Sequence, residues 1–370
     1  PVMDNALAAL VERIRAASAD ARPLRLRGGG TKDFYGESLQ GEVLDTRGLR
    51  GIVSYEPSEL VVTVRAGTPL ADLQAVLAEK GQSLAFDPPH FGLGATVGGM
   101  LAAGLSGPSR ASVGAVRDYV LGVQMVNGRA EVLQFGGQVM KNVAGYDVSR
   151  LLCGSLGTLG LVSEVSLKVL PRPVAQATLR FSLGQAEALQ QLRRWAGQPL
   201  PLRASCWVRD GGQDLLYVRL AGAQAAVDAA IRSMGGIQED EARVDADWVA
   251  LREQTLPFFA LEGAQCLWRL SVPDTTPVLA LPAEAQGELL EWGGALRWVK
   301  APRTAMAALR GLASSAGGSA TLFRQAGPGV PGAGPVFQPL GEPLLRIHRA
   351  LKLQFDPHGI FNPSRLVPGL

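Results

Sequence analysis

Cysteine and histidine are scarce in this chain, and several kinds of chemistry go with them. Only three cysteines occur in 370 residues, Cys153, Cys206 and Cys266. They are widely spaced with no CxxC pair, which excludes a disulfide framework and a chain-internal four-thiolate iron–sulfur cluster. The three histidines, His90, His348 and His358, do not pair at ligand spacing, so no histidine-held metal is expected. His348 and His358 read as packing or surface residues. No Gly-Lys-Ser or Gly-Lys-Thr triplet is present, which rules out a P-loop. A formal charge of +3, with lysine and arginine scattered, lacks the basic run and interleaved aromatics of a nucleic-acid binder.

Long leucine-rich runs are missing as well. Residues 91–109 are uncharged and long enough to span a bilayer, but they are rich in glycine, which costs a helix about 1 kcal/mol per residue, and poor in the large aliphatics of a spanning segment. The opening PVMDNALAALVERIRAA reads as an amphipathic helix with charges inside it, and no secretory signal pattern is visible. Isolated thiols suit a reducing cytoplasm. With 47% apolar and 19% charged residues, two globular domains are expected.

Glycine is what the chain has in quantity, 45 residues in all. The segment 86–107, FDPPHFGLGATVGGMLAAGLSG, holds six of them from Gly92 onward. Without a Cβ the main chain can approach a ligand closely and turn its N–H groups toward an anion. A dinucleotide pyrophosphate is the natural anion. Gly92-Leu93-Gly94 followed by Gly98 comes near a Rossmann fingerprint. It follows Pro88-Pro89 instead of a strand, however, and lacks a strand-terminal acid some twenty residues on.

Two further glycine blocks share the chain. A short strand, PLRLR at 23–27, runs into Gly28-Gly29-Gly30-Thr31-Lys32, which is a phosphate-cradle geometry. Residues 141–165, KNVAGYDVSRLLCGSLGTLGLVSEV, place Gly154, Gly157 and Gly160 ahead of a strand at 161–169. Between these blocks, LVVTVR at 60–65 reads as a strand, and a helix is expected with Thr68 as N-cap, Pro69 at N1 and Gly81 as its stop. Asn127-Gly128 signals a hairpin between 119–126 and 129–135. Pro171-Arg172-Pro173 marks a domain boundary, since neither helix nor central strand continues through it. From there short strands (177–181, 215–220, 267–272, 295–299) alternate with helices (185–196, 223–234, 304–316), a pattern that suggests a ferredoxin-like cap. A Gly/Pro loop at 327–343 leads to a last helix near 344–355.

The ordered set RGGGTK, ATVGGMLAAGLSGP, KNVAGYDVSRLLCGSLGTLGLVSEV and LKLQFDPHGIFNP resembles the PCMH-type FAD-binding domain of the vanillyl-alcohol-oxidase flavoprotein superfamily. Within it the chain is most similar to the smaller, FAD-binding E subunits of bacterial glycolate oxidases, over nearly its whole length. The resemblance implies an α+β fold: an FAD-binding domain of two α+β subdomains at 1–171, an α+β cap at 172–340, and a C-terminal helix and tail at 341–370 returning to the FAD domain. It implies that Arg27, Gly28, Gly29, Gly30, Thr31 and Lys32 wrap the pyrophosphate. Pro88, Ala95, Thr96, Val97, Gly98, Gly99, Ala102 and Gly104 would meet it from the other side. Asn142, Gly145, Asp147, Gly154, Gly157, Thr158, Gly160 and Val162 would lie along the flavin and adenine walls, and Asn362 would make a polar contact to the ring edge. Thr96 and Thr158 have a competing reading as satisfied turn hydroxyls.

Departures from the family pattern matter too. Thr31 stands where relatives with a covalently held ring carry histidine, so noncovalent FAD is expected. The cap has no histidine, whereas larger glycolate oxidase subunits and D-lactate and D-2-hydroxyglutarate dehydrogenases use cap histidines and an acid to bind a divalent metal and engage the substrate. No metal is expected, and no catalytic residue is assigned. Arg252, Arg269 and Arg324 could grip a carboxylate, and Trp207, Trp248, Trp268, Trp292 and Trp298 are possible interface anchors or core residues. The expected function is that of an FAD-carrying oxidoreductase subunit in a glycolate (2-hydroxy acid) oxidase complex. Its implied partners are a larger flavoprotein subunit and an iron–sulfur subunit, in the cytoplasm or held at the inner membrane through them. A stand-alone FAD dehydrogenase and a non-catalytic scaffold are the alternatives.

Overall fold

A computed structural model describes residues 4–137, 147–326 and 334–370. They divide into two compact units: Pro1–Leu105 with Ala115–Pro171 and Pro339–Leu370, and Ser106–Gly114 with Arg172–Gln338.

In the first unit, helix Asn5–Ala19 is capped by Asp4, whose carboxylate accepts from Ala6 N. It buries Leu7, Leu10, Val11, Ile14 and Ala17, one apolar stripe at helical spacing. That stripe packs on Leu24, Leu44, Leu49, Val126, Leu161, Ile360 and Phe361. Strand Leu24–Arg27 pairs in parallel with Glu42–Asp45. An antiparallel sheet runs Ile52–Glu56, Val61–Arg65, Leu161–Lys168, Val120–Val126, Val132–Gly136. Val61, Val62, Thr63 and Val64 are all buried, which is why this strand reads as an unbroken β-branched run.

Two local expectations shift. Helix Leu70–Glu79 starts one residue later than its cap signal, with Pro69 as N-cap, because the Thr68 hydroxyl accepts from Gly51 N instead. The Asn127-Gly128 hairpin closes with a wider loop: Val126 faces Val132, and Asn127 Oδ1 accepts from Arg129 N and Glu131 N. Asn127 thus builds the loop with its side chain.

The second unit is one antiparallel sheet of eight strands, ordered Ile237–Gln238, Ala175–Ser182, Gln213–Gly222, Leu202–Asp210, Gly287–Glu291, Leu296–Pro302, Gln265–Ser271, Ser319–Gln325. The first four, with helices Gln185–Ala196 and Gln224–Met234, form a βαββαβ unit whose fourth, first, third and second strands lie in that order. This is the ferredoxin-like arrangement. Pairing of Leu202–Asp210 with Gly287–Glu291 joins the two halves edge to edge. The cap tryptophans Trp207, Trp248, Trp268, Trp292 and Trp298 are all buried, none more than 5% exposed. Their reading as interface anchors is therefore corrected to core.

Candidate cofactor site

The first glycine block leaves its strand at Arg27 and folds against the second. A Cβ on Gly28 would lie 2.4 Å from Thr96 Oγ1, and one on Gly29 would lie 1.7 Å from the carbonyl oxygen of Gly94. These glycines therefore let two loops touch. The N–H groups of Gly28, Gly29, Gly30 and Thr31 meet no acceptor among the described residues. The same holds for Gly94, Ala95 and Thr96. Buried main-chain donors are satisfied in native proteins, and of these residues Ala95 and Thr96 are buried; two adjoining runs of open N–H groups have the form of an anion cradle. Around it, Arg25 and Arg27 both pair with Asp33, at 2.5 and 2.9 Å. The Arg27 guanidinium fills the space over Gly30. Lys32 Nζ donates to the His90 carbonyl at 3.1 Å and lies 5.6 Å from the Phe91 ring centroid.

Helix Val97–Ala103 supports the cradle through its own bonds. Val97 N donates to Thr68 O, Gly98 N to Ala66 O, and Gly99 N to the N-capping Thr96 hydroxyl. The close approach that Gly98 permits is to Ala66, whose Cβ would stand 2.9 Å from an added methyl. The helix ends at Gly104 with φ 64°, where a Cβ would meet Gly154 Cα at 2.8 Å. Gly154 N and Leu156 N then donate to Leu101 O and Ala102 O. The third block is docked on this helix. Thr158 donates to Ser155 O at 2.8 Å, its turn-hydroxyl reading. A Cβ on Gly157 or Gly160 would strike Asn362 or Met125. Val162 faces Met125 in the sheet. Pro88 is buried. Asp147 accepts from Arg150 N, capping a short helix. Asn142 and Gly145 lie outside the described residues.

Sequence reasoning missed the clamp that holds these loops. Lys352 Nζ, on helix Glu342–Phe355, donates to Thr158 O and Phe361 O at 2.8 Å each and pairs with Asp356 at 2.7 Å. Asp356 also accepts from Ile360 N and Phe361 N. Burial pulls the Lys352 ammonium down from its usual range, and Asp356 opposes that. Asn362 accepts from Leu26 N at 2.8 Å and donates to Leu156 O at 2.6 Å. Its amide thus ties the first strand to the third glycine block. Arg365 donates to the carbonyls of Asp33, Tyr35 and Glu37, and burial pushes its guanidinium down to about 10. The available signals were a Lys and an Asp four apart at a helix end, and a polar Asn-Pro-Ser-Arg after a buried Ile-Phe. Cys153, in the same region, has its thiol pushed up to about 12 by burial and is inert as a nucleophile.

The three cap arginines have separate surroundings. Arg252 pairs with Glu253 at 2.7 Å, Arg324 donates to Gln254 Oε1 at 3.3 Å, and Arg269 stacks on Trp292. No metal-ligating cluster occurs among the described residues. No described helix is long and apolar enough to cross a membrane.

The FAD binding domain family matches residues 5–136. A solved structure of alkyldihydroxyacetonephosphate synthase shares the fold, with a TM-score of 0.68 at 17% identity over 96% of this chain and 75% of that one. Fold and cradle together define a PCMH-type FAD-binding protein of the vanillyl-alcohol-oxidase superfamily. Glycolate oxidase subunit GlcE of Escherichia coli (strain K12) is 46% identical over 358 residues, 97% of this chain and 96% of that protein. The chain belongs to the GlcE family of glycolate oxidase subunits, FAD-dependent oxidoreductases. Glycolate oxidase subunit GlcD of Bacillus subtilis (strain 168) is 33% identical over 172 residues, 46% of this chain and 36% of that protein. D-lactate dehydrogenase of Anaerostipes hadrus is 35% identical over 139 residues, 38% of this chain and 29% of that protein.

Proposed function

We propose that the chain binds one FAD noncovalently and serves as an electron-carrying subunit of a glycolate-oxidising complex, with a larger flavoprotein subunit and an iron–sulfur subunit. The complex is cytoplasmic, or held at the membrane through its partners. The observation that carries the cofactor reading is the pair of touching loops whose N–H groups at 28–31 and 94–96 have no acceptor among the described residues. Residues 28–31 and 94–96 would hold the diphosphate through main-chain donors, each charge-assisted bond contributing about 1.5–3 kcal/mol. Arg25 and Arg27 add positive charge, tempered by Asp33. Gly154, Gly157, Gly160, Val162 and Asn362 would shape the flavin and adenine walls. Flavin, when bound, supplies the redox chemistry. Thr31 supports noncovalent attachment, and so does His90, whose Nε2 is hydrogen-bonded to Gln74 Oε1 at 2.8 Å.

The partner role has a chemical argument. Oxidising a 2-hydroxy acid needs a base for the hydroxyl proton and a cationic grip on the carboxylate. The cap supplies arginines but no histidine. Three isolated cysteines cannot build an iron–sulfur wire, so electrons reaching the chain's flavin leave through another subunit or through oxygen.

Acid or heat precipitation of the yellow protein should leave the chromophore in the supernatant; colour retained in the pellet would refute noncovalent binding. Dye reduction by glycolate should require the larger subunit. Equal turnover by the FAD-loaded chain alone would replace the partner role with a stand-alone dehydrogenase.

A further inference from the structure

Strands Leu202–Asp210 and Gly287–Glu291 join the two halves of the second unit's sheet along only part of their length. Their pairing runs from Cys206 with Glu291 to Val208 with Leu289 and stops there, although one strand continues to Asp210 and the other starts at Gly287. At the opposite end the join is fastened by the Trp292 turn, where Trp292 Nε1 donates to Gly107 O and Gly293 N to Ser205 Oγ, both at 3.0 Å. Beside the unpaired end lies a cavity of about 1180 Å³, lined by the sheet, by helix Glu241–Glu253 and by the turn Pro257–Phe259. Small-molecule sites take about 300–1,000 Å³, so there is room for a ligand.

The lining is apolar where the strands part and the turn covers them: Val208, Leu289, Leu256 and Phe258. Phe258 is set edge-on against Phe259, with centroids 5.2 Å apart. Most charges along the cavity are paired or open to water. Arg180 pairs with Glu239 and Arg209 with Asp214, while Asp210, Arg243 and Asp247 are exposed, where salt and water screen them. Lys300 differs. It is half-buried, and its ammonium meets neither a carboxylate nor a hydrogen-bond acceptor among the described residues. Instead it lies 5.3 Å from the Phe258 ring centroid, a contact that holds an ammonium without neutralising it. A Cβ on Gly287 would stand 3.4 Å from Phe258 Cε2 and 3.6 Å from Lys300 Cε, so the bare backbone there leaves space to both.

The remaining acid of the lining is Glu288. Leu290 packs in the core with Trp207, and strand alternation puts Glu288 on that same face, away from Gly287 and Leu289. Its Oε2 accepts from Gln185 Nε2 at 2.5 Å, and its Oε1 is buried without a partner. Burial raises its carboxyl above the ordinary range, and the cation acting on it is Arg297. Glu288 therefore leaves the charge of Lys300 uncancelled.

We propose that this cavity binds a small aromatic carboxylate, its ring against Phe258, Val208 and Leu289 and its carboxylate on the Lys300 ammonium. A flat ring suits the Phe258 wall, where offset and edge-on contacts add to the area buried. A carboxylate supplies the acceptor that Lys300 lacks. The site needs neither the flavin nor the oxidation proposed above.

Calorimetric titration of the full-length, FAD-loaded chain with indole-3-carboxylate should show saturable binding. Indole, which lacks the charge, and octanoate, which lacks the ring, should both bind more weakly. Lys300→Met keeps the length of the stem and should weaken the carboxylate by about tenfold or more, the scale of one charge-assisted bond, while leaving indole unchanged. Lys300→Arg should retain most of the affinity, and Val208→Trp, which fills the cavity, should weaken indole-3-carboxylate and indole alike. Wild-type FAD content and thermal melting would show each variant to be folded. Absence of saturable binding, wild-type affinity in Lys300→Met, equal losses of indole and indole-3-carboxylate in that variant, or octanoate binding as tight as the aromatic acid would overturn the proposal.

Discussion

In the first unit, Asn362 and Arg365 reach back 336 and 332 positions in sequence to Leu26 and Asp33; in the second, the Trp292 turn is fixed by Ser205 and Gly107 together with its own two strands. The first unit keeps open N–H groups in place with buried polar side chains, because loops without side chains have little apolar surface to pack. The second unit has large aromatics and a continuous sheet, so packing fixes it. A site made of backbone has to be held by distant polar anchors, whereas one made of side chains can ride on the core that carries it.

Gly29→Val tests the first half of that comparison most severely. Its side chain would begin 1.7 Å from Gly94 O, so the two loops must part. FAD absorbance of the purified protein should vanish while the second unit keeps its tryptophan emission. Wild-type FAD content would remove the loop contact from the site.

Lys352→Met comes next. It leaves Asp356, 1% exposed, without its buried cation, a change that typically costs about 3–5 kcal/mol. Urea unfolding should show that loss in the first unit. The double variant Lys352→Met with Asp356→Asn should recover part of it.

A pH experiment contrasts the second unit with the first. The Glu291 carboxyl is pushed from 4.5 up to about 7, mainly by burial, against the Trp298 hydrogen bond and Arg269. The folded state therefore holds this proton more tightly than the unfolded chain. Its stabilising contribution is complete below about pH 4.5 and is lost as pH rises through about 7. At about 1.4 kcal/mol per unit, the second unit should be stronger at pH 5 than at pH 8 by at most about 3 kcal/mol. Glu291→Gln should flatten that slope in tryptophan-detected denaturation.

The smallest effect is expected for Thr96→Ala. It removes the cap on Gly99 N, worth about 1 kcal/mol, and should raise the FAD dissociation rate modestly. An unchanged off-rate would show that the cap is not coupled to the cradle.

How far these features could be read from sequence depended on the range of the interaction. Helix Gln185–Ala196 was legible to the residue because an amphipathic pattern is local. The glycine blocks were legible as places of close backbone approach, but not what each glycine approaches. Gly98 reads as a ligand contact, yet its missing side chain makes room for Ala66, a neighbour no local pattern reveals. Strands Leu202–Asp210, Gly287–Glu291 and Ser319–Gln325 were missed, and with them the single eight-stranded sheet. Their partners, not their own propensities, define them. Arg365 and Lys352 carry no local signal, since only the folded chain brings three carbonyls to one guanidinium and two to one ammonium.

The clamp also sets an order of events in synthesis. Leu24 lies beside Phe361, and the amide of Leu26 is satisfied by Asn362, so the first strand has no complete set of neighbours until residues 356–365 have left the ribosome. A nascent chain can fold its sheet at 175–325 beforehand, but the cradle at 28–31 stays unassembled. Flavin capture should then wait for those residues, and a chain terminated before them should be colourless and open to proteolysis in the half proposed to hold the cofactor.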